Sequence, residues 1–276
     1  MVIMHPTLFT VGPLSLQTES VFWAIAFLVS GFVFWKRGRA EHYPEDQLFD
    51  GFLLSTIVAL LVGRIGFVAL HFSQASIWQW LNPLGQAGVS GVLFLVAAGW
   101  YIYRYAQQNK WDIFEVLDLW SMSMTMGLAI GQLGAFFAGT GVGYATTLPW
   151  GIRFPGLIEA AHPIQLYLFV WYLLLFWYLS WAEYKYRTFS WYRGSKKTAQ
   201  TGYLISVFII AAAGFTFAMT FLRPATTLLF QVNVERLWSS MLVVAGFALL
   251  YSRSGRVIPL TREWLKQRKR MERLRR

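Results

Sequence analysis

Long apolar stretches alternate with short polar segments along almost the whole chain. A helix that crosses the hydrocarbon core of a bilayer needs about 20 mainly apolar residues. The stretches that qualify lie at residues 20–35, 50–71, 88–105, 113–138, 163–183, 203–222 and 237–251. The pattern predicts an all-α polytopic integral membrane protein of about seven transmembrane helices. We expect one membrane domain over residues 1–252, followed by a basic cytoplasmic tail over residues 253–276.

The basic residues between the apolar stretches set the orientation that we expect for this domain. Of the 24 Lys and Arg residues, twenty fall on one side of the membrane if the N-terminus lies outside. The other side then holds only Arg153, Arg223 and Arg236, while Arg64 lies within the second span. Because cytoplasmic loops are enriched in Lys and Arg, the N-terminus is expected outside and the C-terminus in the cytoplasm.

Composition agrees with a bilayer environment and narrows the function classes. Of the 276 residues, 56% are hydrophobic and 13% are charged, against about 25% charged in an ordinary soluble domain. The net charge of +11 would suggest nucleic acid in a soluble protein, but here the cations lie in loops that face anionic lipid. The absence of cysteine excludes disulfides, thiolate nucleophiles and Cys-ligated metals. No metal, cofactor or nucleic-acid partner is expected.

Arg64 is the clearest ionisable group inside a predicted span. Glycines flank it within residues 63–66, and they permit close helix approach around a buried guanidinium. Two interpretations remain open for this residue. The guanidinium binds a lipid phosphate, or it pairs within the membrane with a carboxylate such as Glu19 or Asp50.

The predicted fourth span has a distinctive start and a glycine-rich second half. Glu115 and Asp118 lie one turn apart near its beginning, where acidic groups favour the helix dipole. Gly127, Gly131 and Gly134 follow at a spacing that predicts tight packing with another helix rather than headgroup binding.

His162 stands directly before Pro163 at the outer start of the fifth span. An imidazole at that place can act as a general base. No Ser, Cys or carboxylate partner is obvious nearby, so a structural hydrogen bond is the simpler expectation.

Four short motifs occur in order along the chain. They are Val11-Gly12-Pro13-Leu14-Ser15-Leu16-Gln17-Thr18, Gly63-Arg64-Ile65-Gly66, Phe154-Pro155-Gly156 and His162-Pro163-Ile164-Gln165-Leu166-Tyr167. Their order and spacing resemble the prolipoprotein diacylglyceryl transferases over roughly residues 7–252. The resemblance implies transfer of a diacylglyceryl group from phosphatidylglycerol to the lipobox cysteine of a lipoprotein precursor. It also implies a multi-pass location in the bacterial cytoplasmic (inner) membrane.

The resemblance also implies which residues contact a lipid or its phosphate. These residues are Arg64, Arg223, Gln86, Gln132, Gly143, Gln165 and Tyr167. If the protein is an active transferase, Glu19 and His162 are the candidate proton acceptors.

The sequence departs from the family pattern at many polar positions. Where the family carries Tyr, His, Arg, Asn and Glu in turn, this chain has Glu19, Gln86, Gln132, Ala135 and Thr140. Three further family positions, Glu, Arg and Glu, are here Leu168, Thr216 and Thr220. Loss of one electrostatic contact to a transition state typically reduces the rate by about 10²–10³.

We therefore favour a divergent, non-catalytic relative, a pseudoenzyme that keeps the scaffold without the chemistry. Its expected partners are membrane lipids, phosphatidylglycerol among them, or a membrane-protein complex in which it serves as a subunit. The alternative is an active phosphatidylglycerol-prolipoprotein diacylglyceryl transferase with a rearranged site. A transporter or channel is disfavoured, because the sequence lacks paired broken helices and a ring of intramembrane acids.

Overall fold

Seven long helices and one short helix make up most of the described part of the chain. The computed structural model describes residues 6–11, 14–71, 88–194, 199–225, 228–229 and 232–255. Its helices are α1 Thr18–Ala40, α2 Glu45–His71, α3 Gly91–Gln108, α4 Ile113–Ala138, α5 Ile164–Lys185, α6 Ser190–Arg193, α7 Tyr203–Met219 and α8 Val234–Arg253. A 3₁₀ turn, Tyr186–Thr188, follows α5. Small antiparallel hairpins precede α1 and α8; their strands are β1 Thr7–Val11, β2 Leu14–Gln17, β3 Leu228–Leu229 and β4 Val232–Asn233.

Each of the seven predicted spans falls on one of the long helices. Five helices of the described residues are long and apolar enough to cross a membrane, which makes the chain a polytopic membrane protein. These five are Thr18–Ala40, Glu45–Ala69, Ile113–Ala138, Ile164–Thr188 and Val234–Arg253. Helix α7 is apolar but has only 17 residues, and α3 ends in polar residues. A total of seven spans and the orientation of the termini stay predictions.

Helix ends coincide with capping residues in the sequence. Asp112 begins α4 by accepting hydrogen bonds from the N–H groups of Phe114 and Glu115, at 3.0 and 3.2 Å. Asn233 begins α8 in the same way. Gly139 ends α4 in the left-handed conformation, with φ of 73°, which glycine adopts at no steric cost. These caps satisfy N–H and C=O groups that have no partner within the helix.

Helices α1 and α4 pack closely because α4 presents glycines to α1. A Cβ atom added at Gly127 would lie 2.3 Å from Oγ of Ser30, and one at Gly134 would lie 2.4 Å from Cβ of Phe22. Late α4 therefore meets early α1, and the two helices run antiparallel. The prediction that these glycines serve helix packing is confirmed.

The acidic residues near the start of α4 have different partners from those expected. Glu115 lies in the first turn, accepts a hydrogen bond from the Tyr43 hydroxyl at 2.6 Å and pairs with Arg187 at 3.8 Å. Asp118 is buried and accepts from the N–H groups of Gly202 and Ile205, both at 2.8 Å. Its carboxylate therefore caps the start of α7, not its own helix. The expectation that the dipole of α4 explains Asp118 was wrong.

Neighbouring helices alternate in direction, so particular helix ends share one end of the bundle. The starts of α4 and α7 meet at Asp118, and Nε of Arg253 at the end of α8 donates to the carbonyl of Thr201 at 2.7 Å. At the opposite end of the bundle lie the starts of α1, α5 and α8 and the ends of α4 and α7. We call this opposite end the polar end, because the candidate site residues lie there.

Candidate functional site

Three helices bring Glu19, Thr140 and Gln165 together at the polar end. The Thr140 hydroxyl donates to the Glu19 carboxylate at 3.0 Å, joining the end of α4 to the start of α1. Gln165, in the first turn of α5, is only 2% exposed and donates from Nε2 to the carbonyl of Thr140. Its Oε1 atom is buried and has no hydrogen-bond partner among the described residues. The group therefore contains one carboxylate and one buried amide acceptor.

His162 takes part in a hydrogen-bonded group with two aromatic side chains. Its Nδ1 atom lies 3.3 Å from the Tyr167 hydroxyl, which also accepts from Nε1 of Trp150 at 2.9 Å. The expected structural hydrogen bond of His162 is confirmed. No carboxylate orients the imidazole among the contacts that the structure describes.

The loop between α4 and α5 ties the His162 group to the end of α7. The N–H of Gly143 donates to the carbonyl of His162 at 3.0 Å, and the N–H of Tyr144 donates to the carbonyl of Leu222 at 2.8 Å. A Cβ atom at Gly143 would lie 2.8 Å from the carbonyl oxygen of Leu222, so only glycine fits without a backbone shift. Gly143 thus serves a close backbone approach, and its binding role stays a prediction.

The end of α7 and the start of α8 form a charged group that we call the arginine cluster: Thr220, Arg223, Glu235 and Arg236. Nη2 of Arg223 donates to the Glu235 carboxylate, in an ion pair whose side chains are 16% and 22% exposed. Arg236 donates from Nε and Nη2 to the hydroxyl and carbonyl of Thr220, both at 3.3 Å. Its guanidinium also stacks on the Phe221 ring, 4.3 Å from the centroid. Arg223 therefore has an internal carboxylate partner, and Arg236 has none among the described residues.

The remaining side chains at the family's polar positions are neutral. Gln132 and Ala135 are half-buried on α4, and Leu168 is buried on α5. Thr216, one turn before Thr220 on α7, lies within hydrogen-bonding reach of the buried Tyr172 hydroxyl. These residues offer hydrogen bonds and apolar surface but no charge. Gln86 lies outside the described residues.

Arg64 lies on the last third of α2 and is half-buried. Its Nη1 atom donates to the carbonyl oxygen of Gly88 at 3.0 Å, which links α2 to the segment before α3. We expected a lipid phosphate or an acidic side chain as its partner, whereas the described contact is with a backbone carbonyl. Of the two expected acids, Glu19 instead bonds to Thr140.

An apolar crevice lies between α5 and α7 and includes Tyr167 in its lining. Its volume is about 350 Å³ and its walls are Leu166, Tyr167, Val170, Trp171, Leu174 and Phe215. Trp171 and Phe215 stack directly on each other in its wall, with centroids 4.5 Å apart. The crevice gives the His162 group an apolar neighbour on the membrane-facing side of α5.

The sequence did not reveal the two contacts that give the polar end its present charge pattern. Thr140 was noted only as a lost family Glu, yet its hydroxyl holds the Glu19 carboxylate beside that position. Arg236 was counted only as a basic residue, yet its guanidinium bonds to Thr220, at another lost Glu. The scarcity of cations in that part of the chain was a signal that could have drawn attention to Arg236. No signal in the sequence pointed to the contact between Glu19 and Thr140.

Comparisons with known proteins identify the family of this chain. The sequence model described as prolipoprotein diacylglyceryl transferase matches residues 6–252. The phosphatidylglycerol–prolipoprotein diacylglyceryl transferase of Pseudoalteromonas translucida is 29% identical over 264 residues, which cover 90% of this chain and 92% of the relative. Proteins of the same name from Clostridium tetani and Legionella pneumophila (strain Corby) are 26% and 32% identical, over 75% and 60% of this chain and 80% and 67% of theirs. The chain belongs to the prolipoprotein diacylglyceryl transferase family.

Proposed function

We propose that this protein is a non-catalytic member of its family that binds a phospholipid at the polar end of the bundle. We place it in the bacterial cytoplasmic membrane with seven spans, its N-terminus outside and its C-terminal tail inside. In this orientation the polar end faces the outer leaflet. The phospholipid is phosphatidylglycerol or a related anionic lipid, and a membrane-protein partner that takes up this lipid is the second expected contact.

The observation that carries the proposal is the neutrality of four side chains at positions where the resemblance implies polar or charged ones. Gln132, Ala135, Thr216 and Thr220 carry no charge, and Thr220 is already bonded to Arg236. Neutral side chains of this kind hold a lipid through apolar contacts and a few neutral hydrogen bonds.

Diacylglyceryl transfer requires chemical groups that lipid binding alone does not require. The cysteine thiol must lose its proton to a base, and the departing glycerol phosphate needs cationic stabilisation as its charge develops. His162 has an aromatic hydrogen-bond partner and no orienting carboxylate among the described contacts, while the Arg223 guanidinium is paired with Glu235. The imidazole therefore lacks an orienting group, and Glu235 offsets the Arg223 charge that the developing phosphate charge would need. The joint loss of several catalytic groups leaves little rate.

A second candidate, active transfer by a rearranged site, is favoured by one specific observation. The Glu19 carboxylate lies beside Thr140, the position at which the resemblance places a family Glu. In this interpretation Glu19 and His162 accept protons, while Arg64 and Arg223 bind the phosphate. Glu19→Gln and His162→Ala would then abolish transfer.

Rescue of cells depleted of their own diacylglyceryl transferase separates the two candidates. The unmodified chain, expressed to a verified level in the membrane, is expected to give no rescue, because neutral residues stand at positions 132, 135, 216 and 220. An active relative from the same family, expressed equally, is the positive control. Growth restored by the unmodified chain, and lost again in Glu19→Gln, would replace the proposed function with the second candidate.

A further inference from the structure

The arginine cluster contains more positive than negative charge among the residues that the structure describes. Arg223 and Arg236 contribute two guanidinium groups, and Glu235 contributes the one carboxylate that pairs within the cluster. The cluster therefore has a net charge of +1. The paired side chains of Arg223 and Glu235 are 16% and 22% exposed, so the cluster is largely shielded from solvent. An uncompensated charge is costly in such an environment, so an anion that binds there gains affinity.

The guanidinium of Arg236 has both a fixed orientation and donors to spare. The Phe221 ring covers one face, and Thr220 accepts from Nε and from one N–H of Nη2. Since an arginine side chain has five N–H donors, three remain without a partner among the described residues. In addition, Nε of Arg223 is buried and has no hydrogen-bond partner there.

The surroundings of the cluster indicate that the anion belongs to a lipid. Phe221 and Leu237, the neighbours of Thr220 and Arg236 in sequence, are 56% and 47% exposed, and Met241 one turn further along α8 is 53% exposed. Exposed apolar side chains on membrane-spanning helices face acyl chains. Arg236 therefore lies where apolar surface meets the polar end, at the depth where phospholipid headgroups lie.

We propose that Arg236, together with Arg223, binds the phosphodiester group of one anionic phospholipid at the facing ends of α7 and α8. A phosphodiester carries a single negative charge, which equals the excess charge of the cluster. The planar guanidinium fork matches two phosphate oxygens, a geometry that lysine lacks. The inference rests on the proposed lipid-binding function, and it specifies the headgroup chemistry and the residues that recognise it.

The test uses the purified full chain in neutral detergent, titrated with phosphatidylglycerol and with phosphatidylcholine, with bound lipid counted by native mass spectrometry. Phosphatidylglycerol is expected to bind more tightly, because its headgroup keeps a net negative charge. Arg236→Gln is expected to weaken phosphatidylglycerol binding by about ten- to a hundredfold, the usual effect of losing a hydrogen bond to a charged group. Arg236→Lys is expected to bind with intermediate affinity. Arg153→Gln, at an exposed arginine of the α4–α5 loop, is the matched control and should change little.

The variant Glu235→Gln distinguishes a lipid-binding site from a contact that only holds α7 and α8 together. Removing this carboxylate raises the excess charge, so phosphatidylglycerol should bind about fivefold more tightly. A cluster that only holds α7 against α8 predicts no such gain. This variant also keeps the test valid if Arg236→Gln does not fold.

Competition with soluble glycerophosphoglycerol, the deacylated form of phosphatidylglycerol, separates the two sources of the phosphodiester. Displacement of phosphatidylglycerol by glycerophosphoglycerol would support the same chemistry with a soluble ligand, and no displacement would support the lipid itself. Parent-like binding by Arg236→Gln, or weaker binding by Glu235→Gln, would overturn the inference. Neither result bears on rescue of depleted cells, so failure here is distinguishable from failure of the non-catalytic proposal.

Discussion

The carboxylate of Glu19 on α1 accepts a hydrogen bond from the hydroxyl of Thr140, just beyond the end of α4, at 3.0 Å. By the resemblance, the family carries its own carboxylate at position 140, so in this chain a carboxylate reaches the same place from the neighbouring helix. Catalytic groups need placement within about 0.5 Å of their productive position. A carboxylate that extends from a different helix restores the local negative charge. It does not restore the position of the carboxylate that the family places at residue 140.

Substitution of a packing glycine tests the α1–α4 interface. Gly134→Ala places a Cβ atom 2.4 Å from Cβ of Phe22, which is too close to the backbone to move freely. We expect a loss of about 1–3 kcal/mol in the free energy of unfolding, measured by thermal unfolding in detergent. Gly214→Ala is the matched control on α7, where the nearest atom lies at 3.9 Å. Equal unfolding temperatures for the two variants would contradict the close packing.

The buried carboxylate of Asp118 offers a second test. Asp118→Asn replaces an acceptor of two backbone N–H groups with an amide that accepts fewer bonds and buries an NH₂ group. We expect a loss of about 2 kcal/mol and faster hydrogen exchange at the Ile205 amide. Asp112→Asn at the N-cap of α4 should be nearly neutral, because Asn caps helices as well as Asp does. Unchanged exchange at Ile205 would rule out the cap across helices.

The orientation in the membrane is testable with single cysteines, because the chain has none of its own. Ile158→Cys lies in the α4–α5 loop at a side chain that is 91% exposed, and Gln108→Cys lies at the exposed end of α3. In intact spheroplasts, a membrane-impermeant maleimide is expected to label the Ile158→Cys variant and not the Gln108→Cys variant. After lysis it should label both. Labelling of the Gln108→Cys variant in intact cells would reverse the proposed topology and move the polar end to the cytoplasmic leaflet.

How far the sequence predicted the structure depends on whether a feature is local. The helix α4 was predicted at residues 113–138 and is found at Ile113–Ala138, because apolar length and capping residues are properties of neighbouring positions. The packing of Gly127 and Gly134 was predicted because glycine spacing along one helix marks its contact face.

Contacts between distant segments were not predicted. Asp118 and Gly202 are 84 residues apart, and Thr140 and Glu19 are 121 apart, so no local pattern connects them. The same reason accounts for Arg64, whose described acceptor is a backbone carbonyl that any residue at position 88 would provide. The motifs therefore located polar side chains at one end of the bundle, but they did not give the partners of those side chains.

The most direct test of the non-catalytic proposal is a transfer assay with purified components. The full chain is incubated with phosphatidylglycerol vesicles and a lipobox peptide, and the mass of the peptide is followed, with an active relative from the family as the positive control. We expect no diacylglyceryl adduct above the protein-free reaction, because neutral residues occupy positions 132, 135, 216 and 220. A peptide that gains one diacylglyceryl group with the unmodified chain, and not with Glu19→Gln, would contradict this account.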